Sequence, residues 1–379
     1  MKTRILLLAT VETKANEIGY LADALIRHGL TPEICDISLR SNGSIWSPAE
    51  KLRKMELTAQ KTLADILQNL DGTVAVIGLG GGTGGEVILR ILRDLPLRFP
   101  KLLVTTLPFD PRAAVADNAI TIIPTLADIA GLNASLRLIL DNTAAMVAGL
   151  AASPSADIMA DRSAIGITAL GVTQGACHHL LTGLQADGRE TIVFHANGYG
   201  GAAFSRFARE GAFEAIIDMT VHEITRMEIA GVHAEMPDRF TCARHIPRVV
   251  LPGGINFLGL GELRQISDTH LARPHYQHSG FFTHVQISTE EAKSVTKILC
   301  DHLNTCTGHV EVLLPMGGFS SEDRTGGALE NPALREVVAQ VFEANADTFT
   351  VTRIPSHINA PETATAAIEA LRPHLKDLE

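Results

Sequence analysis

The sequence predicts an α/β fold of mostly parallel sheets with helices on both faces, arranged as two domains. Three observations carry this. Short, nearly continuous apolar runs alternate with segments of helical periodicity, and a strand buried on both faces reads as such a run. Glycine-rich turns sit where several of these runs end. The length of 379 residues suits two domains, at roughly 150 residues each.

The first half alternates strand and helix. Arg4–Thr10 is a short apolar strand. Lys14–His28 places Ile18, Leu21 and Leu25 at helical spacing and is closed by Gly29. Pro32–Ser38 reads as a strand, Trp46–Pro48 as loop and Lys51–Leu70 as an amphipathic helix. Val74–Leu79 is a buried strand, Thr83–Arg93 a helix, Lys101–Thr106 and Ile120–Pro124 strands, and Ala127–Leu150 a long helix. The small, polar stretch Ala151–Arg162 is the expected junction, which divides the chain into 1–160 and 161–379.

The alternation then restarts. Ala164–Leu170, Thr191–His195, Ala215–Thr220, Arg248–Pro252, Val310–Pro315 and Thr348–Ile354 read as strands. Gln174–Ala186, Gly200–Gly211 and Thr289–Asn304 read as helices. The last opens on Thr289-Glu290-Glu291, where a hydroxyl cap and early acids suit the helix dipole.

Composition excludes several classes. The formal net charge is −10, which argues against a nucleic-acid coat, because phosphate neutralisation needs clustered cations. Five scattered cysteines form no CxxC pair, so a reducing cytoplasm fits better than a disulfide framework. The apolar stretch at the N-terminus is short and is followed by Glu12, which suits a first strand rather than a signal peptide. The uncharged stretch Ser163–Ala186 contains His178, His179 and Gln174, which a membrane helix would have to bury. Histidine is distributed unevenly: of 15, only His28 lies before residue 160.

The densest motif is Gly78-Leu79-Gly80-Gly81-Gly82-Thr83-Gly84-Gly85, six glycines in eight residues between a strand and a helix. Backbone amides without Cβ neighbours can approach an anion, and the helix N-terminus adds partial positive charge. The same glycines also suit a tight strand–helix turn. No GK[ST] follows, and no acidic ribose partner is placed for a dinucleotide fingerprint. At the end of the first strand, Thr10, Thr13 and Lys14 offer hydroxyls and a cation to phosphate, and Glu12 offers a ligand for Mg²⁺ or a ribose. Alternatively the segment is a capped helix start with a surface lysine.

In the second half, Phe194-His195-Ala196-Asn197-Gly198-Tyr199-Gly200-Gly201 follows a strand. His195 and Asn197 are candidates to act on substrate, with the Gly200 and Gly201 amides as a second anion site. Asp218, His222 and Glu223 lie in the segment that ends the next strand and offer acid–base or metal chemistry, or a helix cap. Leu251-Pro252-Gly253-Gly254, Gly317-Gly318-Phe319-Ser320 and Ser356-His357-Ile358-Asn359 also end strands. His357 and Asn359 are expected to line the same cleft as His195. His275 and His278 lie in an extended segment, where HxxH spacing does not make a helical zinc pair.

Together, ATVETK, IGLGGGTGG, ADIAGLN (Ala127–Asn133), FHANGYGG, LPGG, STEEA and SHIN resemble, in order and spacing, the Tm-1-like ATP-binding family. The resemblance implies two Rossmann-like domains, a homodimer or higher homo-oligomer, and ATP in the first domain. Thr10, Thr13, Lys14 and Gly80, Gly81, Gly82, Thr83, Gly84 and Gly85 match the nucleotide-binding segments. The chain departs from the pattern at Thr83, where the family has Ser, and at Glu86, where it has Thr. A carboxylate beside a triphosphate is unfavourable unless Mg²⁺ or Lys14 offsets it. The segment usually read as MSTMASG is TTLPFDP (Thr105–Pro111), and two basic positions appear as Gln286 and Gly317.

The expected function is an ATP-binding two-domain enzyme, an ATP-dependent transferase, ligase or hydrolase. It would act on a small molecule in an interdomain cleft with His195, Asn197, Glu223, His357 and Asn359. The alternatives are a nucleotide-independent hydrolase or lyase using the histidines, with or without a metal, and a non-catalytic regulatory dimer that ATP stabilises.

Overall fold

The structure, a computed structural model, describes residues 3–40, 43–108, 110–153 and 164–376. Two compact units divide the chain, Met1–Ile158 and Met159–Glu379. Most of the expected junction, residues 154–162, lies outside the described residues.

The first unit runs β1 (Arg4–Ala9), α1 (Val11–Arg27), β2 (Thr31–Asp36), α2 (Pro48–Gln68), β3 (Thr73–Leu79), α3 (Gly82–Asp94), β4 (Lys101–Thr105), β5 (Ile120–Pro124) and α4 (Ala134–Ala152). All five strands are parallel, in the order β2-β1-β3-β4-β5. Alternate residues of β1 serve opposite faces. Ile5, Leu7 and Ala9 pack with α1 and α4, and Leu6 and Leu8 pack with α2 and α3. Burial on both sides is why the strand reads as an unbroken apolar run. Ser47 and Glu50 close a reciprocal capping box at the start of α2, with Pro48 in its first turn.

One long helix is shorter than expected. Residues 127–133 are not helical, and α4 starts only at Ala134, where the Asn133 side chain accepts from the Leu136 amide at 2.9 Å. Leu126 and Gly131 both take positive φ, 59° and 82°, which a continuous helix does not allow.

The second unit runs β6 (Ala164–Ala169), α5 (Gln174–Ala186), β7 (Thr191–His195), α6 (Gly200–Arg209), β8 (Phe213–Thr220), α7 (Glu223–Glu228), β9 (Arg248–Gly253), β10 (Phe257–Leu260), α8 (Asp268–Leu271), β11 (His275–Gln277), β12 (Thr283–Gln286), α9 (Thr289–Leu303), β13 (Val310–Pro315), α10 (Pro332–Ala344), β14 (Thr350–Ile354) and α11 (Pro361–Leu371). Its parallel sheet has the order β14-β13-β9-β8-β6-β7. In both units the second strand lies outside the first and the third on its other side, so the strand order reverses direction between the first and third strands. Side chains of α5 and α11 pack on one face of the second sheet, and those of α9 and α10 join a separate core with β9 and β13. The cap of α9 is Ser288, boxed with Glu291, one residue before the expected Thr289.

A second sheet of three short antiparallel strands, β10-β12-β11, was not expected. Its strands are three or four residues long and β11 is exposed throughout, so no alternation of polarity announces them. The expectation also contained no helix between β13 and β14, where α10 stands, nor after β14, where α11 stands. Among the described residues no helix is long and apolar enough to cross a membrane.

Candidate functional site

Ligands of open parallel sheets bind beyond the carboxyl ends of the strands, where the strand order reverses. In the first unit that place lies between β1 and β3, and a cleft of about 330 Å³ opens there. Its lining brings Thr10, Glu12, Thr13 and Lys14 together with Gly81, Gly82, Thr83 and Gly84, and adds Ser38, Leu39, Arg40, Trp46 and Asp128.

The glycines divide into two groups. A Cβ on Gly80 would lie 2.6 Å from the Gly85 amide nitrogen, and one on Gly85 would lie 3.1 Å from the Gly80 carbonyl oxygen. These two serve the turn itself and do not line the cleft. Gly82 has nothing within 4 Å of its Cβ position. No side chain caps α3, and the first-turn amides of a helix have no acceptor within it.

The start of α1 offers less backbone. The Val11 amide donates to Asp36 Oδ1 at 3.2 Å and the Glu12 amide to Ser38 Oγ at 3.0 Å. What this segment presents is side chains, with the Thr10 and Thr13 hydroxyls 3.0 Å apart. Lys14 Nζ donates to the Ile129 carbonyl, and Glu17 Oε1 accepts from the Gly131 amide at 2.7 Å. The ATVETK and ADIAGLN segments are therefore neighbours, and their contact sets Asp128 at the cleft. Glu86 turns away and pairs with Arg90 at 2.8 Å, so its carboxylate is not in the cleft lining.

In the second unit a buried ionic network stands over the ends of β6 and β8. Arg239, fully buried, grips Asp218 with both terminal nitrogens at 2.9 Å and Glu223 Oε2 with Nε at 2.6 Å. Thr168 donates to Asp218 at 2.7 Å. Burial disfavours the Asp218 charge, but Arg239, Arg248 and Thr168 outweigh it and hold the carboxyl below its usual range. Glu223 Oε1 accepts from the Gly198 amide at 3.0 Å and the Gly201 amide at 2.9 Å. The expected second anion site is thus filled from within: its anion is the protein's own Glu223 carboxylate. Asn197 Oδ1 accepts from the Tyr199 and Gly200 amides and shapes the same turn.

The five residues expected to share one cleft fall into two groups. His195 ends β7 and His357 follows β14, the two opposite edges of the sheet. His195, Asn197 and Glu223 stay together. Partial desolvation lowers the His195 pKa, Glu223 raises it and Arg226 lowers it, for a net decrease. In the other group, His357 Nε2 donates to the Ser320 carbonyl at 2.9 Å, and its Nδ1 accepts from the Asn359 amide at 3.0 Å. Both ring nitrogens are used within the turn, so this imidazole positions the turn. Asn359 Nδ2 donates to the Val172 carbonyl at 2.9 Å, which ties the end of β14 to the loop after β6. Gly317 packs under the same turn, where a Cβ would lie 2.6 Å from the His357 amide nitrogen. Gln286 is buried and donates to the Leu329 carbonyl at 3.0 Å.

The profile described as "Uncharacterised protein family (UPF0261) N-terminal domain" matches residues 47–156, and that of the C-terminal domain of the same family matches residues 162–375. The chain belongs to the UPF0261 family. A UPF0261 protein of Rhizobium meliloti is 30% identical over 97% of this chain and 98% of its own length. The ToMV resistance protein Tm-1 of Solanum lycopersicum is 28% identical over 82% of this chain, which spans 42% of that protein. A Listeria monocytogenes structure described as a UDP-N-acetylglucosamine 2-epimerase covers 100% of this chain and 98% of its own, at 12% identity and a TM-score of 0.23; that score is too low to mark a shared fold.

This UPF0261 chain also stacks a column of rings that sequence reading missed. His222 lies on Phe257 at 4.4 Å, Phe257 on His284 at 4.2 Å, and His284 on His278 at 5.0 Å. His222 and Phe257 are distant in sequence from the His278–His284 hairpin, and the three-stranded sheet brings Phe257 on β10 beside His284 on β12. Burial, then His278 and Arg226, push the His284 imidazole down to about 4. His222 is fully buried with Nδ1 2.9 Å from the Gly254 carbonyl. Burial first, then Arg226 and His284, hold its pKa well below the ordinary 6.5, against the opposing pull of the Gly254 bond.

Between the depressed folded value and about 6.5, the unfolded imidazole binds the proton and the folded one does not, so stability falls as pH drops below about 6.5. Urea unfolding at pH 7.5 and pH 5.5 checks this. The native chain is expected to lose more stability over that interval than His222→Gln, and equal losses would contradict the assignment.

Proposed function

We propose that the first unit binds ATP with Mg²⁺ and that the chain is an enzyme using it on a small molecule, by phosphoryl transfer or ATP-assisted ligation. The observation that carries this reading is the cleft beyond β1 and β3, where uncapped α3 amides meet the Thr10 and Thr13 hydroxyls. Its volume of about 330 Å³ lies within the ~300–1,000 Å³ typical of small-molecule sites. Gly82, Thr83 and Gly84 would hold phosphate oxygens at the helix N-terminus. Glu12 and Asp128 are the carboxylates in the lining, and their oxygen donors suit a hard cation such as Mg²⁺. The cation would neutralise phosphate charge, and Arg40 adds a positive group. The bond between Lys14 and the Ile129 carbonyl would have to open before Lys14 could reach phosphate. The chemistry in such a site is mainly positioning and charge stabilisation. The homo-oligomer rests on the family resemblance alone, and the cytoplasmic setting on the scattered, unpaired cysteines.

Trp46 is the sole tryptophan of the chain and lines the cleft, with Lys54 Nζ 4.8 Å from its ring centre. Titration with ATP and Mg²⁺ is therefore expected to change its fluorescence along a saturating one-to-one curve. Sulfate at matched ionic strength is expected to leave the emission unchanged. No saturable change at millimolar ATP would count against the reading.

A further inference from the structure

We propose that His278, His284 and Glu322 form a binding site for a divalent transition-metal ion of the zinc class, separate from the cleft of the first unit. His278 follows β11, His284 lies within β12, and Glu322 sits in the short turn Ser321–Asp323 beyond β13. One ligand atom from each comes within 4.8 Å of the other two, and among the described residues no other three such side chains converge this way.

Two orphaned atoms point to a cation. His284 is 7% exposed, and its Nδ1 is buried without a hydrogen-bond partner. Glu322 Oε2 is likewise buried and unpartnered, and the approach of Glu322 Oε1 to His284 Nδ1, 3.9 Å, is too long for a hydrogen bond. A buried acceptor left unsatisfied costs its full desolvation penalty, and more when charged. An imidazole nitrogen facing a carboxylate across this gap gives a cation two donors at once.

The donor set agrees with the ion. Two imidazoles and one carboxylate are ligands of mononuclear zinc sites that keep a fourth position open for water. Phe257 stacks on His284 at 4.2 Å and fixes its plane, as supporting contacts do around metal ligands. The trio, within 4.8 Å, is wider than a filled tetrahedral site by at most about 1.5 Å. His278 can close the gap, because its ring is exposed. The tip of the same hairpin exposes Phe281 and Phe282, and this apolar surface between His278 and His284 in the chain would suit a ligand with both a metal-binding oxygen and an apolar part.

The test uses the full chain, stripped with chelator and titrated calorimetrically with zinc sulfate, with cobalt(II) absorption as a second readout. One ion per chain is expected, with a cobalt spectrum of tetrahedral type. Glu322→Gln, nearly isosteric, and His278→Ala, at an exposed position, are each expected to weaken binding by at least about tenfold. His270→Ala, on α8 away from the trio, is expected to leave binding unchanged. Circular dichroism confirms that each variant is folded. Absence of one-to-one binding, or binding that both Glu322→Gln and His278→Ala leave intact, would overturn the proposal. ATP binding is not required for either result, so failure here leaves the nucleotide reading standing.

Discussion

Replacing Arg239 by Met is expected to destabilise the second unit by about 3–5 kcal/mol, because it strands two buried carboxylates. Asp218 and Glu223 are both fully buried, and Arg239 makes three charge-assisted hydrogen bonds to them. Arg248 does not replace it, since its nearest nitrogen stands 3.6 Å from Asp218. The loss is a large part of the 5–15 kcal/mol that typically holds a domain together. The readout is the urea midpoint of the transition belonging to the second unit. Adding Asp218→Asn and Glu223→Gln to the Met variant removes the stranded charges and is expected to recover part of the loss. A single variant within about 0.5 kcal/mol of the native chain, the range of an ordinary surface substitution, would refute this view of the network.

The second large effect concerns ligand rather than fold. Gly82→Asp is expected to weaken ATP binding by at least about tenfold while leaving the melting temperature unchanged or slightly raised. The Cβ position at Gly82 is open, and its φ is not among the positive ones, so the side chain fits without strain. A carboxylate in the first turn of a helix is favourable to the helix by about 0.3–1 kcal/mol. The same charge occupies the place proposed for phosphate and repels it. Gly80→Ala is the contrasting case: its Cβ meets backbone at 2.6 Å, so any loss of binding there mixes with damage to the turn.

What the sequence revealed depended on how local the cause was. The strands β1, β3 and β6 were legible because burial on both faces writes an unbroken apolar run. The lining residues Thr10, Glu12, Thr13 and Lys14 and the glycines were legible because each follows a strand end, and the sheet order brings those ends together. Asp128 escaped because its segment is apolar enough to pass for helix; the break comes from Leu126 and Gly131. Arg239 escaped because its partners are 16 and 21 residues away and nothing local marks its loop as buried. The uneven distribution of histidine hinted at chemistry in the second unit without saying where. His195 and His357 lie at opposite sheet edges, and the histidines that do gather, His222, His284 and His278, depend on the three-stranded sheet, whose strands are too short to announce themselves.

The proposed function places a nucleotide in the cleft at the ends of β1 and β3. Calorimetric titration of the full chain with ATP and Mg²⁺, run beside Gly82→Asp under the same conditions, tests it most directly. One-to-one binding by the native chain is expected, with at least a tenfold loss, about 1.4 kcal/mol, in a variant that still melts cooperatively. Equal affinity in the two proteins, or no binding heat in the native chain at millimolar ATP, would contradict it.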